Sequence, residues 1–349
     1  MINWPPGGRI CMRPREDEPL KTESGLRIWL GLALFISMGL LSRVWAAEPA
    51  SLRASYAAIS GNFAPIWVAQ DKGLFAKYGV IVDLKFVPPS TATQSLLAKS
   101  LDIIAPGGEI VEAALAGEKV VYIAAIANRV VLSLYGKPEI HGLPGLKGKV
   151  LAVLTPGGTS DFLARILAQE AGLTPGKDMR ILYMKSAPEI LAALTQGIAD
   201  AGIISAPMTL RARQLGFKEI IDVPGKNIPM VHSSLGSTRE FIRENPDRVR
   251  RFLQGYIEGI KVAQSNPEEA KKVVGKYTKT TDQEALEETY QTFVRVWEKV
   301  PYTSSAAVQT ILNFAKHPAA KTAKPEQFID NSILAELEKS GFVNQLYQP

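Results

Sequence analysis

Thr155-Pro156-Gly157-Gly158-Thr159-Ser160 is the segment whose residue types come closest to chemistry. It follows a strand-like run, Val150 to Leu154, and leads into a helical pattern from Asp161 to Ala171. The first N–H groups of a helix have no partner inside it, and the positive end of the macrodipole stands behind them. A Gly-rich turn at such an end admits an anion, and Thr159 and Ser160 add hydroxyl donors. The same residues also make an ordinary strand-to-helix turn in which Ser160 only caps. No Gly-Lys-Ser/Thr ending follows, so a nucleotide triphosphate is not indicated.

Three further segments resemble it in placement. Ser60-Gly61-Asn62-Phe63 follows the first strand, Pro106-Gly107-Gly108-Glu109 a second, and Ser205-Ala206-Pro207 a third. Open α/β sheets bind ligands at the carboxyl ends of their strands. Four small polar loops at such ends form a constellation that counts for more than any one of them. The expected ligand contacts are Ser60, Gly61, Asn62, Phe63, Gly107, Gly108, Gly157, Gly158, Thr159, Ser160, Ser205 and Ala206. Arg129 ends an apolar strand, where a charge is unexpected. It reads equally as a snorkelling side chain or as a fork for a carboxylate or sulfonate. His232 reads as a structural histidine or as one that faces a cleft.

Much chemistry is missing. His141, His232 and His317 are the only histidines, and no two lie at metal-ligand spacing. There is no Gly-x-Ser-x-Gly elbow, no His-Glu-x-x-His and no dinucleotide fingerprint. The single cysteine, Cys11, lies ahead of the N-terminal apolar run. Beyond that run the chain has no disulfide, no thiolate metal site and no Cys nucleophile. No catalytic residue, metal or cofactor is therefore expected. Lys and Arg number 40 against 34 Asp and Glu, a formal net charge of +6. The charges are mixed along the helices, without a basic stripe and interleaved aromatics, so nucleic acid is not expected as a partner. The mild cationic excess favours capture of an anion.

Stepping outward, the pattern supplies the elements that must hold these loops. Residues 1–46 read as a secretory signal peptide: Arg13, Arg15, Lys21 and Arg27 flank an uncharged run from Ile28 to Ser42, and Val44 and Ala46 precede a cleavage site before Ala47. Beyond it, strands expected at Leu52–Ile59, Ile81–Val87, Ile103–Ala105 and Val120–Ala125 alternate with helices at Pro65–Tyr78, Ser90–Lys99 and Ile110–Ala116. A second unit repeats the scheme. Its strands fall at Val150–Leu154, Arg180–Met184, Ala201–Ile204 and Ile220–Val223, and Ser186 with Glu189 offers a capping box. Such alternation predicts parallel sheet with helices on both faces. Asp102 and Asp200 occupy matching turns about 100 residues apart, too far for a solenoid repeat and right for two similar lobes. The last third reads as helices, led by Asp247–Ala263 with Val249, Phe252, Leu253, Tyr256, Ile257 and Ile260 on one face.

These segments, in this order, resemble the nitrate/sulfonate/taurine-type substrate-binding proteins of ABC importers, whose fold is shared with thiamine-pyrimidine-precursor proteins. The resemblance is carried by Ala64-Pro65, Lys72 to Val80, Leu97 to Asp102, Leu146 to Val153, Gly157 to Ser160, Leu194 to Ala201 and the helical tail from Pro246. It spans nearly all of residues 51 to 340. Lys99 departs from it, since such proteins usually carry Gly there. The resemblance implies an α/β, two-lobed periplasmic binding protein of type II. Lobe 1 is discontinuous (47–130 and 235–349) and lobe 2 is 131–234, with crossing strands near Ala124–Leu134 and Ile228–Leu235. It implies a periplasmic, non-enzymatic receptor that closes on a small molecule and delivers it to an ABC permease in the inner membrane. It does not fix the ligand; the turn and the charge lead us to expect an anionic one, and a monomer is expected. An enzyme of the same fold acting on a pyrimidine precursor, and a receptor for a membrane sensor, are the alternatives.

Overall fold

The computed structural model describes residues 50–348. The expected signal peptide, its cleavage site and Cys11 lie outside the described residues. The first strand, β1 (Ala50–Tyr56), buries Leu52 and Ala54 and exposes Ser51 and Arg53, the period of two that a half-buried strand requires. It stops three residues before the predicted end, and Ala57, Ala58 and Ile59 form a loop. The single helix expected next is two, α1 (Ala64–Asp71) and α2 (Leu74–Lys77). Gly73, at φ +66°, breaks it in the left-handed conformation that ends helices. The parallel partner of β1 is β2 (Val80–Phe86), in register from Ala50–Val80 to Tyr56–Phe86. Helix α3 (Pro89–Leu97) starts on Pro89, so Ser90 and Thr91 sit inside the first turn rather than capping it. After α4 (Glu109–Leu115), β3 (Val120–Arg129) runs four residues beyond its predicted end.

The second unit holds β4 (Ser133–Gly136), β5 (Val150–Val153), α5 (Thr159–Glu170), β6 (Arg180–Tyr183), α6 (Ala187–Thr195), β7 (Ala201–Ile204), α7 (Met208–Gln214), β8 (Lys218–Ile221) and β9 (Pro229–Thr238). Its sheet has the order β6-β5-β7-β4-β8. Strand β5 pairs in parallel with β6 and β7, but β4 is antiparallel to both β7 and β8. The sheet is therefore mixed, not purely parallel. The departure has a local cause: Ser133–Gly136 enters straight from β3, without a crossover helix to reverse it.

Strands β3 and β9 lie side by side, antiparallel, from Val120–Thr238 to Arg129–Pro229. Ile103 and Ile104 form isolated bridges, not a strand: Ile103 lies opposite Ala54, bonded to Arg53 and Ser55, and Ile104 pairs with Gly236, linking β1 to β9. The helical tail comprises α8 (Arg239–Glu244), α9 (Pro246–Ser265), α10 (Pro267–Thr278), α11 (Gln283–Phe293), α12 (Ser305–Phe314), α13 (Ser332–Lys339) and α14 (Phe342–Tyr347). The apolar face of α9 is buried as its spacing predicts, and Phe252 stacks on Phe75 with centroids 4.8 Å apart. Burying one such ring contributes about 1.5–3 kcal/mol. Helices α9, α10 and α13 join the core of β1, β2 and α1. Helix α12 instead brings Val308, Ile311 and Leu312 into the core that holds Phe162, Leu163, Leu151 and Val231.

Candidate functional site

The loops at the carboxyl ends of the strands converge on a cavity of about 70 Å³. Ala57 to Ser60, Asn62 and Phe63 come from the loop after β1, and Ala105, Gly107 and Glu109 from the segment before α4. Leu154, Thr155, Gly158, Thr159 and Ser160 come from the turn into α5, and Ile203, Ile204 and Ser205 from the end of β7. Strand β9 adds His232 and Ser233, and Pro89, Leu132 and Ala187 complete the wall.

Hydrogen bonds across the cavity hold these loops together. The Ser205 hydroxyl donates to Ser60 Oγ at 3.0 Å, and the Gly61 N–H reaches the Ala206 carbonyl at 3.4 Å. Asn62 Nδ2 donates to Ser233 Oγ. Thr159 Oγ1 donates to the His232 carbonyl at 2.7 Å, and Ser160 Oγ accepts from the Leu154 N–H at 2.9 Å. Thus both hydroxyls that opened the sequence analysis are engaged within the protein.

The glycines serve a close approach between two loops. A Cβ on Gly108 would lie 2.8 Å from the Gly157 carbonyl oxygen and 2.5 Å from the Phe162 ring. One on Gly107 would overlap the Thr159 hydroxyl, and one on Gly158 would lie 2.5 Å from Glu109 Oε1. The two Gly-rich turns therefore touch backbone to backbone, with the Glu109 carboxyl against the N-terminus of α5.

Glu109 and His232 are the only Asp, Glu, Lys, Arg or His side chains among the described residues of the wall. Glu109 Oε2 accepts from the Gly107 N–H at 2.8 Å. Burial pushes this carboxyl up to about 7, its own N–H and that of Gly107 pull it down, and the Asp161 charge adds to the rise. Burial pushes the His232 imidazole down to about 4, so it is neutral at pH 7. His232 Nδ1 and Asn62 Oδ1 are buried without a hydrogen-bond partner. Asp161 caps the turn, accepting from the Gly157 N–H at 3.0 Å, and pairs with Arg165 at 3.0 Å.

A family model described as NMT1/THI5 like matches residues 60–270, more than half of the chain. The chain belongs to the NMT1/THI5-like family. This NMT1/THI5-like protein is 28% identical over 259 residues to a Brucella abortus (strain 2308) protein named as a binding protein, covering 71% of this chain and 78% of that one. Its structure resembles the periplasmic nitrate-binding protein NrtA from Synechocystis PCC 6803 with a TM-score of 0.69 and 16% identity, over 84% of this chain and 89% of that one. It resembles the periplasmic aliphatic sulphonate binding protein SsuA from Escherichia coli with a TM-score of 0.61 and 18% identity, over 80% and 99% of the two chains. At these identities the likeness is one of fold. The NMT1/THI5-like chain has the fold of periplasmic binding proteins, a mixed α/β architecture with sheets flanked by helices.

Of the residues singled out in this NMT1/THI5-like sequence, Ser60, Asn62, Phe63, Gly107, Gly158, Thr159, Ser160, Ser205 and His232 line the cavity. Gly61, Gly108, Gly157, Arg129 and Ala206 do not. A Cβ on Gly61 would overlap Thr289 and crowd Phe293, so that glycine packs on α11. Arg129 donates to Asn227 Oδ1 at 3.2 Å and borders a separate open groove of about 520 Å³, which Ala206 also reaches. Glu109 is not among the contacts expected from the sequence. Its position directly after Pro106-Gly107-Gly108 was the available signal. Ala57, Ala58, Ile59, Leu132, Ala187 and Ile203 carry no signal in their types. Only the meeting of loops makes them a wall.

Proposed function

We propose that the protein is an extracytoplasmic solute-binding protein. In this reading it is exported by the leader at residues 1–46, works as a monomer, and closes on one small molecule for delivery to an ABC permease. The observation that carries the proposal is the cavity walled jointly by loops from both sheets and by β9. Small-molecule sites are concave, largely apolar and fitted with a few polar groups, and this wall has that character. The lobes are the two sheet-centred halves, 47–130 with 235–349 and 131–234, turning about β3 and β9. Bonds such as Ser205 to Ser60 form only when the halves meet. A ligand favours closure by the contacts it gains in that state alone.

Binding without catalysis suits the polar groups. Covalent catalysis by a Ser or Thr needs that hydroxyl hydrogen-bonded to a base. Thr159 donates to a carbonyl, Ser205 to another hydroxyl, and His232 Nδ1 meets nothing. The charge of the wall also departs from the oxyanion expected from the sequence. It carries a carboxyl, and no Lys or Arg.

The test is a thermal-shift screen of the chain from Ala47 against small organic acids, amines and heterocycles, followed by mass spectrometry of the released compound. A true ligand at 100 times its Kd stabilises by about 2.7 kcal/mol. We expect one class to raise Tm, with one molecule bound and recovered unchanged. Recovery of a chemically altered compound would establish the enzyme reading instead.

A further inference from the structure

We infer that the cavity takes a small organic cation or amine, an N–H group of which is received by Glu109. The inference rests on the receptor reading above and names the ligand class of the same cavity.

One open acceptor carries it. Glu109 is 8% exposed, and Oε2 is satisfied by Gly107. No hydrogen bond reaches Oε1 among the described residues, and a carboxylate oxygen accepts. An amine N–H is a group that satisfies it. The Ser160 and Ser233 hydroxyls accept from the protein and keep their own protons for acceptor atoms of the same ligand.

Charge points the same way. No Lys or Arg lines the cavity. The charge that bears on Glu109 is Asp161 on α5, already paired with Arg165, and the buried Tyr122 phenol of β3 faces the same carboxyl. Its Oε1 stands where a Cβ on Gly158 would come. The positive end of α5 therefore faces a carboxyl of the protein itself, and an incoming oxyanion would meet that carboxyl first. A cation or amine relieves the burial of Glu109; an anion aggravates it.

The decisive comparison uses two probes of one shape and opposite charge, acetamidinium and acetate, with nitrate and methanesulfonate as further anions. Each is titrated calorimetrically into the chain from Ala47 at pH 7, in two buffers of different ionisation enthalpy. Since burial holds Glu109 near 7, a cation should lower that value and release about half a proton, whereas an anion should raise it and take up a proton. We expect acetamidinium to bind with proton release, and Glu109→Gln to weaken it at least tenfold. Proton release is read on the wild-type chain, so the inference stands or falls even if the variant folds poorly. Acetamidinium binding unchanged in Glu109→Gln overturns the role of Glu109. Binding of an anion with proton uptake, strengthened in Glu109→Gln, overturns the ligand class and leaves the receptor reading intact. Binding by neither class overturns the ligand class and leaves the receptor reading to its own screen.

Discussion

The two turns that carry Asp102 and Asp200 repeat one another bond for bond. In the first, the N–H groups of Ala98, Lys99, Ser100 and Leu101 reach the carbonyls of Gln94, Leu96, Ser95 and Ser95 at 2.8–3.1 Å. In the second, those of Gln196, Gly197, Ile198 and Ala199 reach Ala192, Leu194, Ala193 and Ala193 at 2.9–3.1 Å. Each aspartate then clips a strand of its own unit, β1 in the first and β5 in the second. The Arg53 N–H donates to Asp102 Oδ2 at 2.8 Å, and the Val150 N–H to Asp200 Oδ2 at 2.9 Å. Each carboxylate also holds a cation at 2.6 Å, Arg53 in one case and Lys137 in the other. The side chains differ and the bonds do not. The repeat is thus a property of backbone geometry, and the residues need only tolerate it. Beyond the aspartates the units part company. One delivers Glu109 to the cavity; the other delivers only the Ser205 hydroxyl.

The largest effects should come from removing the clips. Asp102→Ala leaves a strand N–H and a guanidinium without their acceptor and should cost about 3 kcal/mol in denaturant unfolding. Asp200→Ala should cost about 2 kcal/mol, since its side chain is 21% exposed against 11% for Asp102. Equal losses would show that burial does not separate the two turns. For Asp200 desolvation pushes the carboxyl up, but Lys137 and the Val150 N–H outweigh it, so the net shift is downward. The contribution of that clip is therefore present above the ordinary carboxylate range and lost as pH falls through the depressed value.

Next comes the divergence after the turns. A carboxyl held near 7 costs stability once pH passes its unfolded value, and the cost is complete above 7. Glu109→Gln should therefore stabilise the ligand-free protein at pH 8 by about 1–3 kcal/mol, a gain that vanishes near pH 4. Ser205→Ala should show no such slope. His232 acts oppositely: its depressed value gives stability that is full above 6.5 and is lost as pH falls to about 4. With Glu109→Gln in place, chemical unfolding from pH 4 to 6.5 should show that rise. A flat profile would mean the imidazole is solvated.

A reciprocal exchange sharpens the comparison at about 1 kcal/mol. Lys99 and Gly197 both have positive φ, +56° and +72°. Only glycine adopts that conformation without strain, at a difference of about 1–2 kcal/mol per residue. Lys99→Gly should stabilise by about 0.5–1 kcal/mol after the entropy of the unfolded chain is counted. Gly197→Ala should destabilise by about 1 kcal/mol, with strain as the sole cause, because nothing lies within 4 Å of the added Cβ. The smallest effect is expected from Arg53→Lys and Lys137→Arg, each within about 0.5 kcal/mol, since both cations sit at the surface. Thermal melts would register all four variants.

Local physics was legible in the chain. The period of two in β1 and the apolar stripe of α9 follow from spacing that neighbours in sequence enforce. The Gly-rich turns were legible as well, but not their purpose. They were expected to admit a ligand to the backbone, and they admit each other. Ser90, Thr91 and Lys99 show the same limit on a smaller scale. Each was read by its type, and each takes the place that its neighbours dictate.

The sequence by itself determined the alternation of strands and helices, the matching aspartate turns and the loops that would lie at strand ends. These depend on hydrophobic period, caps and breakers, which act over a few residues. Tertiary structure decided which of those loops meet, that β4 joins its sheet antiparallel, and that α12 leaves its fellow helices for the core of α5. It also decided the chemistry of the cavity. Glu109 is an ordinary first-turn acid until Gly107, Gly158 and the apolar wall close around it. His232 is an ordinary imidazole until burial strips its water. A charge state is set by desolvation and by partners, and both come from segments far away in the chain.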